Sequence, residues 1–140
     1  MNKQIKVKDL SVSYQKSGKY HKIIDNIDFY IEPSEIFAII GESGSGKTTI
    51  TKALTGLLPK STKISGLMQI GESNYDLSND YERKKLSGTE IGLVFQDARS
   101  SLNPMRKIIK HFEEIYVNIK GLSKEECYTK SAEILKYLGF

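Results

Sequence analysis

The sequence predicts an α/β fold in which an antiparallel β region precedes a mostly helical region, and three observations indicate it. Residues 5–14 suggest a first strand region whose alternation of apolar and polar side chains is interrupted at 8–11, and residues 23–31 suggest a second strand, with alternation at 27–31. Residues 36–40 are apolar throughout, as expected of a strand buried on both faces of a parallel sheet. Apolar residues between Met105 and Ile119 recur at helical spacing, which predicts an amphipathic helix.

The remaining strands and turns follow from glycine, proline and short apolar runs. Polar residues 15–21 predict a hairpin loop between the first two strands, and residues 32–35 predict a turn before the apolar run. Residues 64–70 predict a short strand interrupted by a glycine, followed by a turn at 71–74. Residues 91–95 predict another buried strand, because they are apolar apart from one glycine.

The remaining helices are indicated by caps and stop signals. Residues 49–58 fit a helix that ends where glycine and proline follow, and residues 78–86 fit a second helix. Residues 123–126 read Ser-Lys-Glu-Glu, a capping box that predicts the start of a last helix. That helix is expected to bury Ala132, Leu135 and Leu138.

The most informative segment of the chain is a glycine-rich one that fits the pattern G-x-x-x-x-G-K-[ST]. It lies between the apolar run and the helix at 49–58, and this strand–loop–helix context is that of a phosphate-binding P-loop. A glycine turn that merely joins a strand to a helix is the alternative reading. The segment and the residue after it are the predicted nucleoside-triphosphate contacts: Gly41, Glu42, Ser43, Gly44, Ser45, Gly46, Lys47, Thr48 and Thr49.

The residue types of this loop suit a triphosphate for physical reasons. Gly41, Gly44 and Gly46 lack a Cβ, so the backbone can approach the ligand and can take positive φ angles. Successive N–H groups and the start of the following helix then offer donors and a positive dipole end to an anion. Lys47 is expected to reach the β- and γ-phosphates, and the Thr48 hydroxyl is expected to bind Mg²⁺.

Composition narrows the classes of function. The chain has 140 residues, of which 39% are hydrophobic and 27% charged, with a formal net charge of +4. These values are ordinary for one globular domain. The lysines are spread along the sequence and form only short clusters, at 83–85 and 106–107, so no nucleic-acid partner is predicted.

Cysteine and hydropathy usage suggest a reducing compartment and a membrane role only through a partner. Cys127 is the single cysteine, so no disulfide within the chain can form, and its neighbours predict a helix position. Residues 1–6 lack the apolar core of a signal peptide. The longest apolar run is 36–40, which is far too short to span a bilayer.

Three further segments resemble the ATP-binding-cassette ATPases, and the resemblance covers essentially all of the chain. Residues 91–97, Ile-Gly-Leu-Val-Phe-Gln-Asp, resemble the strand and glutamine loop of that family, and 10–14 resemble the segment that leads to its aromatic loop. Residues 100–104, Ser-Ser-Leu-Asn-Pro, resemble the oligopeptide, dipeptide and nickel importer branch. The implied fold is a P-loop NTPase core, about 1–97, with an antiparallel β subdomain and the start of a helical subdomain, about 98–140.

The resemblance implies roles for individual residues. Tyr14 would stack on adenine, Lys47 would act on the phosphates, and Gln96 would position Mg²⁺ or the attacking water as a catalytic residue. Ordinary packing is the alternative for Tyr14, and polar capping is the alternative for Gln96. His21 and His111 have no metal-ligand spacing and are interpreted as surface histidines.

The resemblance also implies partners and a location. ATP and Mg²⁺ would be the cofactors, and transmembrane permease subunits and a second ATP-binding subunit would be the direct partners. An extracytoplasmic substrate-binding protein would act indirectly, and the chain would lie at the cytoplasmic face of the membrane. Its parent would hydrolyse ATP to drive import of peptides or nickel.

Departures from the family pattern leave hydrolysis open. The Leu-Ser-Gly-Gly-Gln signature, the acidic strand and the switch histidine are not present before Phe140, so we expect an N-terminal portion of a longer ATPase. Residues 86–90 resemble the signature but precede the glutamine loop, which rules them out. Ser34 replaces a glycine usual in the family, and Ala98 a proline. A non-catalytic nucleotide-binding remnant and a non-transport ATPase of the same class are the alternative functions.

Overall fold

The computed structural model describes residues 3–87, 89–95, 97 and 102–140. The chain divides into two compact units, Met1–Leu93 and Val94–Phe140, and the domain assignment made from the sequence stays a prediction. The first unit contains β1 (Ile5–Lys16), β2 (Lys19–Ile31), α1 (Lys47–Leu54), β3 (Lys63–Ile70), β4 (Ser73–Asp76) and α2 (Asp80–Leu86). The second unit contains α3 (Ile108–Tyr116) and α4 (Lys124–Tyr137).

The first unit is built on an antiparallel sheet with the strand order β2-β1-β3-β4. The antiparallel β region is therefore confirmed, but its turns are tighter than the sequence suggested. Lys16 pairs with Lys19, and Ser17 and Gly18 alone form the turn with φ angles of 51° and 76°. A two-residue turn with both residues at positive φ matches the twist of an antiparallel pair, so the strands continue through the predicted loop at 15–21. Strand β4 likewise starts inside the turn predicted at 71–74.

A β-bulge explains why polar residues interrupt the apolar alternation of β1. The register of β1 with β2 shifts between Val7 and Leu10, and Asp9 has a φ of 54°. The side chain of Asp28 accepts a hydrogen bond from the Asp9 N–H at 2.6 Å, which holds the irregular backbone. Gly66 of β3 lies so close to the bulge that an added Cβ would be 2.8 Å from the carbonyl oxygen of Lys8. The glycine inside β3 is therefore required by close backbone approach.

Helices α1 and α2 pack on one apolar cluster with the sheet. Helix α1 contributes Ile50 and Ala53, and α2 contributes Leu86. Asn79 caps α2, since its side chain accepts hydrogen bonds from the N–H groups of the helix's first turn. The buried cluster consists of Val7, Leu10, Val12, Ile24, Ile50, Ala53, Met68, Ile70, Leu77 and Leu86.

The two buried parallel strands expected from the sequence are not formed, and this prediction is wrong. Residues 36–40 are in no strand, and Ile36 and Ile40 are 97% and 91% exposed. In the segment 91–95, Ile91 makes an isolated parallel bridge with Ser87, and Val94 is exposed. A parallel strand is held by hydrogen bonds to neighbouring strands, and the residues that the structure describes supply no such neighbour to 36–40.

The second unit is a pair of helices, and its expected buried residues need correction. The capping box at Ser123 and Glu126 is confirmed. However, α4 buries Cys127 and Ser131, whereas Ala132 and Leu138 are exposed and Leu135 is half-buried. The buried positions of α4 therefore differ from the apolar positions that the sequence suggested. His111, expected at the surface, is half-buried, and its Nε2 atom has no hydrogen-bond partner among the described residues.

The capping box should make the stability of the second unit depend on acidity. The Ser123 N–H donates to the Glu126 carboxylate at 2.8 Å, and this bond lowers the pKa of Glu126 below its ordinary value of 4.5. A lowered folded-state pKa gives stability that is present above the ordinary pKa and is lost as the pH falls through the folded value. We expect Glu126→Gln to flatten the dependence of the unfolding free energy on pH as the pH falls below the ordinary pKa of 4.5.

Urea unfolding followed by circular dichroism at a series of pH values measures this effect. Glu125→Gln is the matched control, because Glu125 is an acidic neighbour in the same helical turn that takes no part in the capping box. Identical pH profiles for the Glu126→Gln variant and the unchanged chain would contradict the prediction.

Candidate functional site

The glycine-rich segment forms a turn that leads directly into α1, as its sequence pattern predicts. The Ser45 N–H donates to the carbonyl of Glu42 at 3.2 Å, and the helix starts at Lys47 with Gly46 as its N-cap. Gly44 and Gly46 have φ angles of 84° and 95°, in the region that favours glycine. The loop conformation therefore depends on glycine at these two positions.

An added Cβ at Gly41 or Gly46 would lie close to a neighbouring side chain. A Cβ on Gly41 would lie 2.8 Å from the Ser45 Oγ atom. A Cβ on Gly46 would lie 2.6 Å from Ile24 Cδ1 and 3.5 Å from Ile23 Cγ2. The end of the loop is thus packed directly against strand β2, which fixes the start of α1 relative to the sheet.

The start of α1 offers backbone donors to an anion. The Ile50 N–H is the first to join the helical ladder, with the Gly46 carbonyl as acceptor at 3.0 Å. The N–H groups of Lys47, Thr48 and Thr49 precede that ladder, as in any helix start. The first turn contains no acidic side chain that would compete with an anionic ligand.

The Lys47 ammonium group lies over the loop. It donates hydrogen bonds to the carbonyl oxygens of Gly41 and Glu42 at 2.7 and 2.6 Å, and it is 3.4 Å from Ser45 Oγ. These contacts bring a positive charge to the loop that already presents the backbone donors. Thr48 is exposed, whereas Thr49 is half-buried. The structure therefore brings the whole predicted phosphate-binding segment together, and its ligand-binding role stays a prediction.

Tyr14 lies at the same end of the β1–β2 pair as the loop. It is half-buried and pairs directly with His21 across the two strands. Val12, two residues before it, pairs with Ile24, which contacts the loop glycine. Sequence reasoning did not connect His21 with Tyr14. The signal for it was the two-residue turn, because counting outward from that turn pairs residue 14 with residue 21.

Gln96, the predicted catalytic and Mg²⁺-positioning residue, lies outside the described residues. Residues 100 and 101, which carried part of the resemblance to the importer branch, also lie outside them. The described part of the chain contains no group of three or more His, Cys, Asp or Glu side chains arranged for a metal. None of its helices is long and apolar enough to cross a bilayer.

Comparison with known proteins points to one family. The family profile described as ABC transporter matches residues 24–139. An oligopeptide transport ATP-binding protein of Bacillus subtilis (strain 168) is 33% identical over 138 residues, which are 96% of this chain and 38% of that protein. A dipeptide transport ATP-binding protein of Lactococcus lactis subsp. cremoris (strain MG1363) is 36% identical over 98% of this chain and 40% of its own length.

A more distant relative gives the same picture. An oligopeptide transport ATP-binding protein of Escherichia coli (strain K12) is 30% identical over 94% of this chain and 39% of that protein. The chain therefore spans about two fifths of the length of the curated relatives it matches. The glycine-rich loop and α1 lie inside the matched region.

The contact between the loop and β2 gives a prediction for stability. Gly46→Ala should lower the unfolding free energy by about 2–3 kcal/mol, because the added methyl group overlaps Ile24 and the φ of 95° is strained for alanine. Gly44→Ala is the control, since Gly44 has a φ of 84° and no atom within 4 Å of its added Cβ, so it tests the backbone strain alone. Urea titration of both variants measures the difference, and equal losses would contradict the packing argument.

Proposed function

This chain belongs to the ABC transporter family, and from that premise we propose that it binds ATP as the nucleotide-binding part of a peptide importer. The observation that carries the proposal is the arrangement around the loop. The backbone N–H groups at the start of α1 and the Lys47 ammonium group lie close together at the loop. The first turn of α1 contains no acidic side chain. These donors are the set that a triphosphate requires.

Lys47 would change partners when the nucleotide binds. Its ammonium group now bonds to two loop carbonyls, and both bonds are available for exchange with phosphate oxygens. A charge-assisted bond to phosphate is stronger than a bond to a neutral carbonyl, so the exchange favours the bound state. The carbonyls of Gly41 and Glu42 meanwhile hold the ammonium group near the position where it is needed.

We propose Thr48 as the protein ligand of Mg²⁺, together with Gln96. The residues fit the ion, because a hydroxyl and an amide carbonyl are oxygen donors of the kind Mg²⁺ prefers. Thr48 is exposed at the second position of α1, beside the backbone donors. When bound, the ion would neutralise charge on the phosphates. Gln96 enters from its sequence pattern alone.

Tyr14 would bind the adenine base. Its ring is half-buried on β1, at the end of the strand pair that backs the loop. A tyrosine ring held in this way offers a flat apolar surface to a base at little cost in side-chain entropy. The support for this role is its position relative to Gly46, through the pairing of Val12 with Ile24.

The activity of the whole protein is part of the same proposal. We infer that it hydrolyses ATP at the cytoplasmic face of the membrane, in contact with permease subunits and a second ATP-binding subunit, and serves an extracytoplasmic substrate-binding protein. The names of the relatives support peptides as cargo, since they describe oligopeptide and dipeptide transport. Nickel, the other cargo suggested by the sequence, has no support in the names of those relatives.

Calorimetric titration with MgATP tests the binding step. We expect the chain to bind MgATP and Lys47→Ala to weaken binding by at least about tenfold, because the variant loses the charged hydrogen bonds to phosphate. Lys52→Ala is the control, since Lys52 is another lysine of α1 but lies in its last turn. Undiminished binding by the Lys47→Ala variant would remove the phosphate-binding role of the loop.

A transport assay in the source organism tests the cargo. Deletion of the coding sequence should abolish uptake of a radiolabelled oligopeptide, and the unchanged gene, but not its Lys47→Ala version, should restore it. Uptake of radioactive nickel is measured in the same strains. Loss of nickel uptake alone would overturn the peptide assignment, and undiminished uptake of both would overturn the transport role.

A further inference from the structure

The register of the β1–β2 hairpin places His21 beside Tyr14. Counting from the turn, Lys16 pairs with Lys19, Gln15 with Tyr20, and Tyr14 with His21. Side chains of directly opposed residues project from the same face of a sheet, with Cβ atoms about 5 Å apart. The imidazole ring and the phenol ring are therefore neighbours on one face.

A bulge decides which face this is. Val12 pairs with Ile24 but Ser13 pairs with Lys22, so Ile23 is an extra residue in β2. Without it, strict alternation from Ile24 would put residue 22 on the core face and residue 21 on the other. The extra residue reverses that outcome and turns His21 towards the face of Ile24, which is a known use of bulges near binding sites.

The same face carries the glycine-rich loop. Ile23 Cγ2 and Ile24 Cδ1 both lie within 3.5 Å of the position of a Cβ on Gly46. His21 lies two positions before Ile23 along β2, which is roughly 7 Å at the rise of an extended strand. The rings of Tyr14 and His21 therefore lie close to the N-cap of α1, on the face of the sheet that contacts the loop.

The neighbours of His21 in β2 have other partners on the opposite face. The Tyr20 ring has the Lys63 ammonium group 4.0 Å from its centroid, and Lys22 forms an ion pair with Asp25 at 2.8 Å. His21 itself is exposed and makes no hydrogen bond or ion pair to the other residues that the structure describes. The His21 ring is therefore available to a ligand, whereas the Tyr20 ring and the Lys22 side chain have partners on the opposite face.

From this arrangement we propose that His21 and Tyr14 together form one base-binding surface, across which the purine ring of the bound nucleotide lies. The proposal rests on the proposed binding of ATP and adds a second residue to it. A flat imidazole beside a flat phenol extends the apolar area that a bicyclic base can cover. Stacking of this kind accepts either purine, because every base has a π face.

Paired titrations with two probes test the role of His21. MgATP contains the base and the triphosphate, whereas magnesium tripolyphosphate contains only the anionic part. We expect His21→Ala to weaken binding of MgATP about tenfold, within the range of base–aromatic stacking, and to leave binding of tripolyphosphate unchanged. His21→Phe keeps a flat ring and should restore the affinity for MgATP.

Tyr20→Ala is the matched control, because it removes an aromatic ring from the same hairpin but on the opposite face. It should leave the affinity for both probes unchanged. Circular dichroism checks that each variant is folded. We expect the His21 variants to fold, because His21 is exposed.

Two results would overturn the inference while the proposed function stands: equal MgATP affinity in His21→Ala and the unchanged chain, or an equal loss for both probes. An unchanged chain that binds neither probe would overturn the proposed function, and the inference with it.

Discussion

The contact between the Gly46 backbone and the Ile24 side chain is the constraint on which the candidate site depends. It is so close that a single added methyl group would overlap the isoleucine. Because Ile24 belongs to the same apolar cluster as Ile50 and Ala53 of α1, the helix start and the sheet are fixed by one set of packed side chains. Backbone donors, ammonium group and aromatic rings are thus positioned by the core, and not by the loop alone.

Much of the first unit could be predicted from the sequence, because its determinants are local. Alternating side chains indicated β1 and β2, and glycines at positions of positive φ indicated the loop that opens α1. The capping box at Ser123 was likewise readable, since its two hydrogen bonds join residues three apart. The antiparallel sheet and the membership of the family followed from such segments.

The failures concern structure that depends on distant partners. An apolar run such as 36–40 becomes a parallel strand only if other strands flank it. The residues of the run do not determine whether such neighbouring strands are present. The buried face of α4 was misjudged for the same reason, because burial depends on what packs against a helix, and α3 packs against α4. The pairing of Tyr14 with His21 depended on a turn that was taken to be longer than it is.

The exposed run at 36–40 also bears on the colloidal behaviour of the protein. Five uncharged residues, rich in isoleucine and without proline, have the composition of segments that self-associate into cross-β assemblies. Glu35 and Glu42 flank the run, and their like charges would meet whenever two copies aligned in parallel register. These like charges oppose self-association of the run, and the opposition weakens at high ionic strength, where salt screens the repulsion.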